Sequence, residues 1–290
     1  MVAQPARHRH RQRRVLQVCR RPDPPDPGAG RAGQAGFMIA VRSAAFTAGL
    51  WLVTLAAGLA GLPLLAAPRR AAFALAVVWA RTVLWLLRVA VGIRHRTVGC
   101  VQPDPDGRYI YAVKHQSAWE TIAFPVIAPA FAAVLKEELT RLPFYGWYLN
   151  RAGMVPIRRS ARGAALKRML RSARAMVDIG RHILIMPEGT RMPPGRTGRY
   201  HPGVYALYKY LGLPVVPVAH NAGLFWPRNG FLKRPGTIAI EFLEPIPPGL
   251  DRAAFMATLQ ERIETAARRL CEAELARRRD RTARPAGDRT

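Results

Sequence analysis

This chain of 290 residues predicts an α/β fold, a mixed sheet flanked by helices and preceded by a membrane-associated helical hairpin, and three observations carry that prediction. Beyond about residue 94, short apolar runs of strand length alternate with longer amphipathic ones, the pattern of a sheet covered on both faces. Upstream, Ser43 to Pro68 holds no charged residue over 26 positions, enough at about 1.5 Å per residue to cross the roughly 30 Å hydrocarbon layer. A second apolar stretch, Ala71 to Ile93, is interrupted only by Arg81 and Arg88, which share one helix face, with Trp79 and Trp85 close by.

Taken in order, residues 1–37 are a basic extension rich in Arg, Pro and Gly, including Pro22-Asp23-Pro24-Pro25-Asp26-Pro27, with almost nothing to bury. Disorder is expected there, and the change of character at Met38 suggests that the natural start lies near that residue; a basic tail that touches lipid is the other reading. Residues 38–93 form the membrane-anchoring hydrophobic helices. Two arginines at a bilayer centre would each cost about 2.5–3.5 kcal/mol, so the second segment is expected to be amphipathic rather than spanning. The Gly61-Leu62-Pro63 break, with Arg42 before the first segment and Arg69-Arg70 between the two, suits a hairpin lying partly in one leaflet.

Residues 94–278 are expected to form the α/β domain. Strands are expected at 109–114, 131–135, 154–157, 183–186, 215–218 and 237–242. Helices are expected at 117–127, 164–179 closed by Gly180, 202–211 closed by Gly212, and 251–278. Residues 279–290 read as a disordered basic tail.

The formal charge is +27, and 40 of the 45 basic residues are Arg, scattered among apolar residues rather than laid along one helix face. Either a compositional preference for Arg or an anionic surface explains this; the functional version is a membrane-surface protein with an anionic lipid substrate. Zinc-finger spacing, RNA-binding aromatic signatures and basic-leucine patterns are absent from the sequence, so nucleic acid is not the expected partner. Cys19, Cys100 and Cys271 are an odd number at wide spacing, which argues against a disulfide framework and for structural thiols in a reducing compartment.

Two short segments carry the chemistry. In Lys114-His115-Gln116-Ser117-Ala118-Trp119-Glu120, a histidine leaves an apolar run and a carboxylate follows five residues later in the first turn of a helix. An imidazole so placed can take a proton while the carboxylate fixes its tautomer. Ser117 and Glu120 also spell a capping box, which needs no catalytic purpose; one carboxylate oxygen can close the box while the other receives the imidazole N–H. In Met186-Pro187-Glu188-Gly189-Thr190-Arg191, Gly189 permits close backbone approach and Glu188, Thr190 and Arg191 converge. His182, His201 and His220 have no metal-ligand spacing, so no metal is expected.

Together these segments resemble the glycerophospholipid acyltransferase family, whose first block reads His-x4-Asp and whose third reads Phe-Pro-Glu-Gly-Thr-Arg. Weaker blocks are similar at Gly153 to Arg159 and Val215 to Val218, and the resemblance covers about Tyr109 to Pro248. Glu120 departs from the pattern, standing where the family usually has Asp. The resemblance implies that His115 is a general base with Glu120 as its partner, and that the acceptor is the sn-2 hydroxyl of 1-acylglycerol 3-phosphate (lysophosphatidate). The donor implied is an acyl-CoA or acyl carrier protein thioester, with no cofactor. It further implies that Arg159, Glu188, Gly189, Thr190 and Arg191 bind substrate; Arg158, which stands where the family often has an acid, either shares that role or is simply exposed. Arg159 and Arg191 hold the phosphate, and Glu188 positions one of them or binds the glycerol. The oxyanion donors would come from backbone N–H groups of the same loops. Phe144, Trp147 and Tyr148 either line an acyl groove or pack the core. The enzyme would sit on the cytoplasmic membrane with this domain facing the cytoplasm. Lyso-ornithine lipid or glycerol 3-phosphate is an alternative acceptor, and a non-catalytic basic lipid- or nucleic-acid-binding protein is the alternative class.

Overall fold

The computed structural model describes residues 27–99, 107–128, 130–158 and 162–283. Helix α1, Pro27–Ala60, begins inside the stretch 1–37 for which disorder was expected. Proline suits the first helical position, and no further proline follows before the apolar run, so the helix can extend towards the N-terminus. A 3₁₀ turn, Leu62–Leu65, stands at the expected Gly-Leu-Pro break, and α2, Arg69–Leu86, continues through a π turn, Leu87–Val91. The Trp79 indole N–H donates to Thr54 Oγ1 at 3.1 Å, joining the two helices as a hairpin. Both segments, Gly36–Ala60 and Arg69–Val91, are long and apolar enough to cross a membrane. The second therefore meets the length and hydropathy of a span that its arginines were expected to disfavour. Arg81 and Arg88 are both exposed, on the face that also exposes Trp85.

After the hairpin, β1 (Ile93–Val98), β2 (Ile110–Val113), α3 (Trp119–Ile127) and β3 (Phe131–Lys136) follow in chain order. They lead to α4 (Tyr145–Arg151), β4 (Val155–Ile157), α5 (Arg162–Asp178), β5 (His182–Ile185) and α6 (Gly203–Leu211). The chain closes with β6 (Val215–His220), β7 (Gly236–Phe242) and α7 (Arg252–Ala283). The seven strands form one sheet in the order β1-β7-β6-β2-β5-β3-β4. The sheet is mixed as expected: β6 and β7 are antiparallel and the other neighbours parallel.

The α/β class and most elements agree with the sequence reading to within a few residues, and β1 and α4 are additions. The sequence of β1, Ile-Arg-His-Arg-Thr-Val, has no apolar alternation because it is an edge strand held by backbone pairing to β7 alone. Helix α7 runs on to Ala283, past the expected break at residue 279; residues 284–290 lie outside the described residues.

The sheet separates two apolar layers. Tyr111, Val113, Leu184, Val216 and Val218 face the side covered by α2 and α3, whereas Ile110, Ala112, Ile183, Ile185 and Val215 face that covered by α5, α6 and α7. Period-2 alternation along β2 and β5 supplies both layers from the same strands. Three adjacent parallel strands at the middle, β5, β2 and β6, end together, and the residues just past their carboxyl ends form the site.

Candidate active site

His115 lies two residues beyond the end of β2, and its backbone is gripped from both sides by the turn after β5. Its N–H donates to Glu188 Oε2 at 2.8 Å, and its carbonyl accepts from the Met192 N–H at 2.7 Å. His115 Nδ1 is 2.7 Å from Glu120 Oε1. A carboxylate only accepts, so Nδ1 carries the hydrogen and Nε2 keeps a lone pair.

Glu120 makes both contacts expected of it, to the imidazole and to the Ser117 N–H, but not with one oxygen each, and Ser117 is not the helix cap. Oε1 takes the imidazole together with the Gln116 and Ser117 N–H groups, both at 3.0 Å, and Oε2 shares the Ser117 N–H at 3.1 Å. The longer Glu side chain therefore still reaches His115. Helix α3 starts two residues later than the expected Ser117, whose hydroxyl accepts the Trp119 N–H at 3.1 Å.

Behind this pair lies a fully buried histidine. His220 Nε2 donates to the Lys114 carbonyl at 2.7 Å, its Nδ1 accepts the Ala222 N–H at 3.3 Å, and Glu120 Oε2 is 3.9 Å away. Burial pushes the His220 imidazole below its ordinary 6.5, against the pull of the Glu120 carboxylate. Burial pushes the Glu120 carboxyl up, but the facing imidazoles of His220 and His115, with the Ser117 N–H, more than offset this and hold it below the ordinary range.

Glu188 is bonded to the strand end beside it rather than to Arg191. Its side chain is buried, with Oε1 2.6 Å from Lys114 Nζ and Oε2 on the His115 N–H. Lys114, itself 1% exposed, is also 2.6 Å from Glu264 Oε1 on α7, which accepts from Tyr200 Oη at 3.0 Å. A buried ammonium with two carboxylates costs least when every oxygen has a donor, and Tyr200, Thr197 and the His115 N–H supply them. Burial still pushes Glu188 upward, against the pull of Lys114.

Lys114, Glu264 and His220 complete the buried network around His115, and the motifs did not single them out. The polar pair His220-Asn221 directly after an apolar strand was the available signal for one of them, and Glu264 borders the buried stripe Phe255, Leu259, Ile263 of α7.

His115 lines a cavity of about 460 Å³ together with Glu120, Gly189, Thr190 and Arg191 and with the apolar Leu75, Ala76, Trp79, Phe124 and Phe131. Lys136 and Arg228 also reach its wall. Of the three aromatics considered for it, Phe144 and Tyr148 line it and Trp147 does not. Tyr148 Oη donates to the Gly58 carbonyl at 2.7 Å, closing α4 against α1.

Gly189 sits at φ +62°, a left-handed turn in which glycine is unstrained. Its N–H is spent on the Met186 carbonyl, and those of Gln116, Ser117 and Met192 are spent as described, so these four are not the oxyanion donors sought in these loops.

Arg191 lines the cavity, and its carbonyl accepts from Arg228 at 2.8 Å. Arg158 does not line it. Its guanidinium makes two contacts to Glu137, at 2.9 and 3.2 Å, on the surface, because an adjacent carboxylate satisfies the fork. Arg159 lies outside the described residues. Among the described residues no cluster of His, Cys, Asp and Glu could hold a metal ion. Burial pushes the Cys271 thiol up to about 11, which removes it as a nucleophile; Cys19 and Cys100 lie outside the described residues.

Residues 94–221 match the family model described as Acyltransferase. A 1-acyl-sn-glycerol-3-phosphate acyltransferase of Pseudomonas aeruginosa is 41% identical over 162 residues, 56% of this chain and 63% of that protein. One of Cocos nucifera with the same name is 30% identical over 141 residues, 48% of this chain and 46% of that protein. The chain thus spans less than two thirds of either relative. The crystal structure of the 1-acyl-sn-glycerophosphate (LPA) acyltransferase PlsC from Thermotoga maritima shares the fold, with a TM-score of 0.57 at 21% identity, over 70% of this chain and 80% of that one.

Proposed function

We propose, from the match of residues 94–221 to the acyltransferase family model and the likeness to the Pseudomonas protein, that this chain moves a fatty acyl group from a thioester to the sn-2 hydroxyl of 1-acylglycerol 3-phosphate at a membrane surface. The observation that carries the reading is the 2.7 Å contact of His115 Nδ1 with Glu120, which leaves Nε2 as a base on the wall of a cavity lined by both apolar and cationic side chains.

His115 Nε2 takes the hydroxyl proton as the acceptor oxygen bonds to the thioester carbonyl carbon. The tetrahedral centre then collapses, the C–S bond breaks, and the thiolate leaves with the proton from His115. Glu120, held by two backbone N–H groups, stabilises the imidazolium between these steps without moving. No side chain acts as a covalent nucleophile: Ser117 Oγ is turned to the Trp119 N–H.

Arg191 receives the acceptor phosphate, with Lys136 and Arg228 on the same cavity wall. An acyl chain fits among Leu75, Ala76, Trp79 and Tyr148, between the hairpin and the sheet. The hairpin anchors the chain in the bilayer that supplies this amphiphilic acceptor, at the cytoplasmic face.

The test is an assay of purified chain in detergent with one long-chain acyl-CoA and, separately, lysophosphatidate, lyso-ornithine lipid and glycerol 3-phosphate. Thiol release with formation of a diacyl product from lysophosphatidate at tenfold or more the rate of the others is expected. Turnover of another acceptor with lysophosphatidate inert overturns the reading.

A further inference from the structure

The loop that joins β6 to β7 carries an arrangement that acyl transfer does not use. At its tip Phe231 and Leu232 are 53% and 44% exposed, two adjacent large apolar side chains turned outward. The next residue is the reverse: Lys233 is 4% exposed. Its N–H donates to Ser43 Oγ at 2.9 Å, and its ammonium donates to Thr47 Oγ1 at 3.2 Å and to the Phe231 carbonyl at 2.9 Å. The same ammonium lies 5.1 to 5.5 Å from the ring centres of Phe46, Trp226 and Phe231, so aromatic faces replace part of its hydration. This lysine is a clamp: it fastens the loop to α1 and leaves only the tip free.

The charged residues of the loop and of the hairpin have one sign. Arg228 and Arg234 flank the tip and are exposed, and Arg42 is exposed on α1 beside Ser43. No Asp or Glu occurs from Met38 to Pro103 or from Asn221 to Ile240, so hairpin and loop both lack acidic residues. An apolar tip ringed by arginines and fixed to a helix that itself exposes Trp51, Leu52 and Leu55 is complementary to an anionic lipid surface, with acyl chains within and phosphates at the rim.

We propose that the segment Pro227 to Pro235 is a third lipid-contacting element, in which Phe231 and Leu232 enter the acyl layer of an anionic bilayer beside α1 while Arg228 and Arg234 meet its phosphates. The proposal rests on the reading of the α1–α2 hairpin as the membrane anchor. It adds a consequence for the site: Arg228 also lines the cavity and donates to the Arg191 carbonyl at 2.8 Å, so insertion of the loop couples the lipid surface to the phosphate end of the cavity.

The experiment uses the full chain with Cys19, Cys100 and Cys271 replaced by Ala and an environment-sensitive fluorophore on Leu232→Cys or, as reference, on Leu52→Cys of the hairpin. Each is placed in phosphatidylcholine–phosphatidylglycerol vesicles containing a spin-labelled quencher lipid. Both labels should shift to the blue and be quenched. Quenching at position 52 without quenching at 232 overturns the loop while sparing the hairpin, and no quenching at either position removes both. A shift at 232 that grows with protein concentration and ignores the quencher assigns the tip to a second copy of the chain and overturns the proposal. As a second measurement, Phe231→Ser/Leu232→Ser should keep its turnover in detergent micelles and lose tenfold or more on vesicles; equal turnover on vesicles overturns it.

Discussion

On the hairpin, Trp51 and Leu52 are 69% and 68% exposed and Trp85 is 62% exposed, whereas at the ends of β2, β5 and β6 Lys114, Glu120, Glu188 and His220 are each 2% exposed or less. Each region would be unstable in the other's surroundings. Large apolar side chains facing outward along α1 and α2 are favourable only if the medium they meet is itself apolar. The buried charges are tolerable only because each is paired within 2.6–2.8 Å. Fractional exposure alone therefore says little about role; what matters is whether a group's partner is solvent, lipid or another side chain.

The sharpest break of this comparison is at the base. His115→Ala should lower turnover by about 10²- to 10⁴-fold and leave vesicle binding at the parent level, since the hairpin is untouched. Retention of more than a third of parent turnover in a detergent assay would mean that the buried centre is structural and the mechanism wrong.

Next in size is the network beneath it. Lys114→Met strands Glu188 and Glu264 without their shared cation, and a broken buried pair typically costs about 3–5 kcal/mol. Chemical unfolding in detergent should show a loss of that order, whereas Leu52→Ser should change unfolding by less than about 0.5 kcal/mol and weaken vesicle binding instead. If the two variants behave alike in both measurements, the distinction between the regions fails.

A smaller effect separates two arginines of the same sequence reading. Arg191→Ala should raise the Michaelis constant for lysophosphatidate about tenfold, the loss of one charge-assisted contact, with the donor constant unchanged. Arg158→Ala should leave both constants within twofold, because its guanidinium is occupied by Glu137. Equal effects from the two would show the phosphate site misplaced.

The smallest expected effect is on pH. Burial holds the His220 pKa below its ordinary 6.5 in the folded chain, so the unfolded chain binds a proton near pH 6.5 that the folded one refuses. The contribution is fully present above that pH and is lost as pH falls, by at most about 1.4 kcal/mol per pH unit for one group. His95 and His182 are shifted the same way by burial, and Glu188, raised by burial, acts in the opposite sense. The informative quantity is thus the difference between parent and His220→Gln. The variant's unfolding free energy should fall less steeply below pH 6.5, and parallel slopes would mean that His220 titrates alike folded and unfolded.

Much of this protein is legible in its sequence. The apolar runs of β2, β5 and β6 and the periodicity of α5, α6 and α7 are local signals that burial on both sides of a sheet forces on a sequence. The pairing of His115 with Glu120 was legible too, because five residues across a strand–helix turn leave the side chains few places to go. Strand β1 was not, since its four polar and charged residues are permitted by an edge position that only pairing with β7 defines. Nor was the bond between Lys114 and Glu264, 150 residues apart, or the turn of Glu188 inward to the His115 backbone, or the engagement of Arg158 by Glu137. Local periodicity and short-range geometry are written in the sequence because neighbours along the chain enforce them. Which charge meets which depends on the order in which strands pack, and that is decided only when the whole sheet forms.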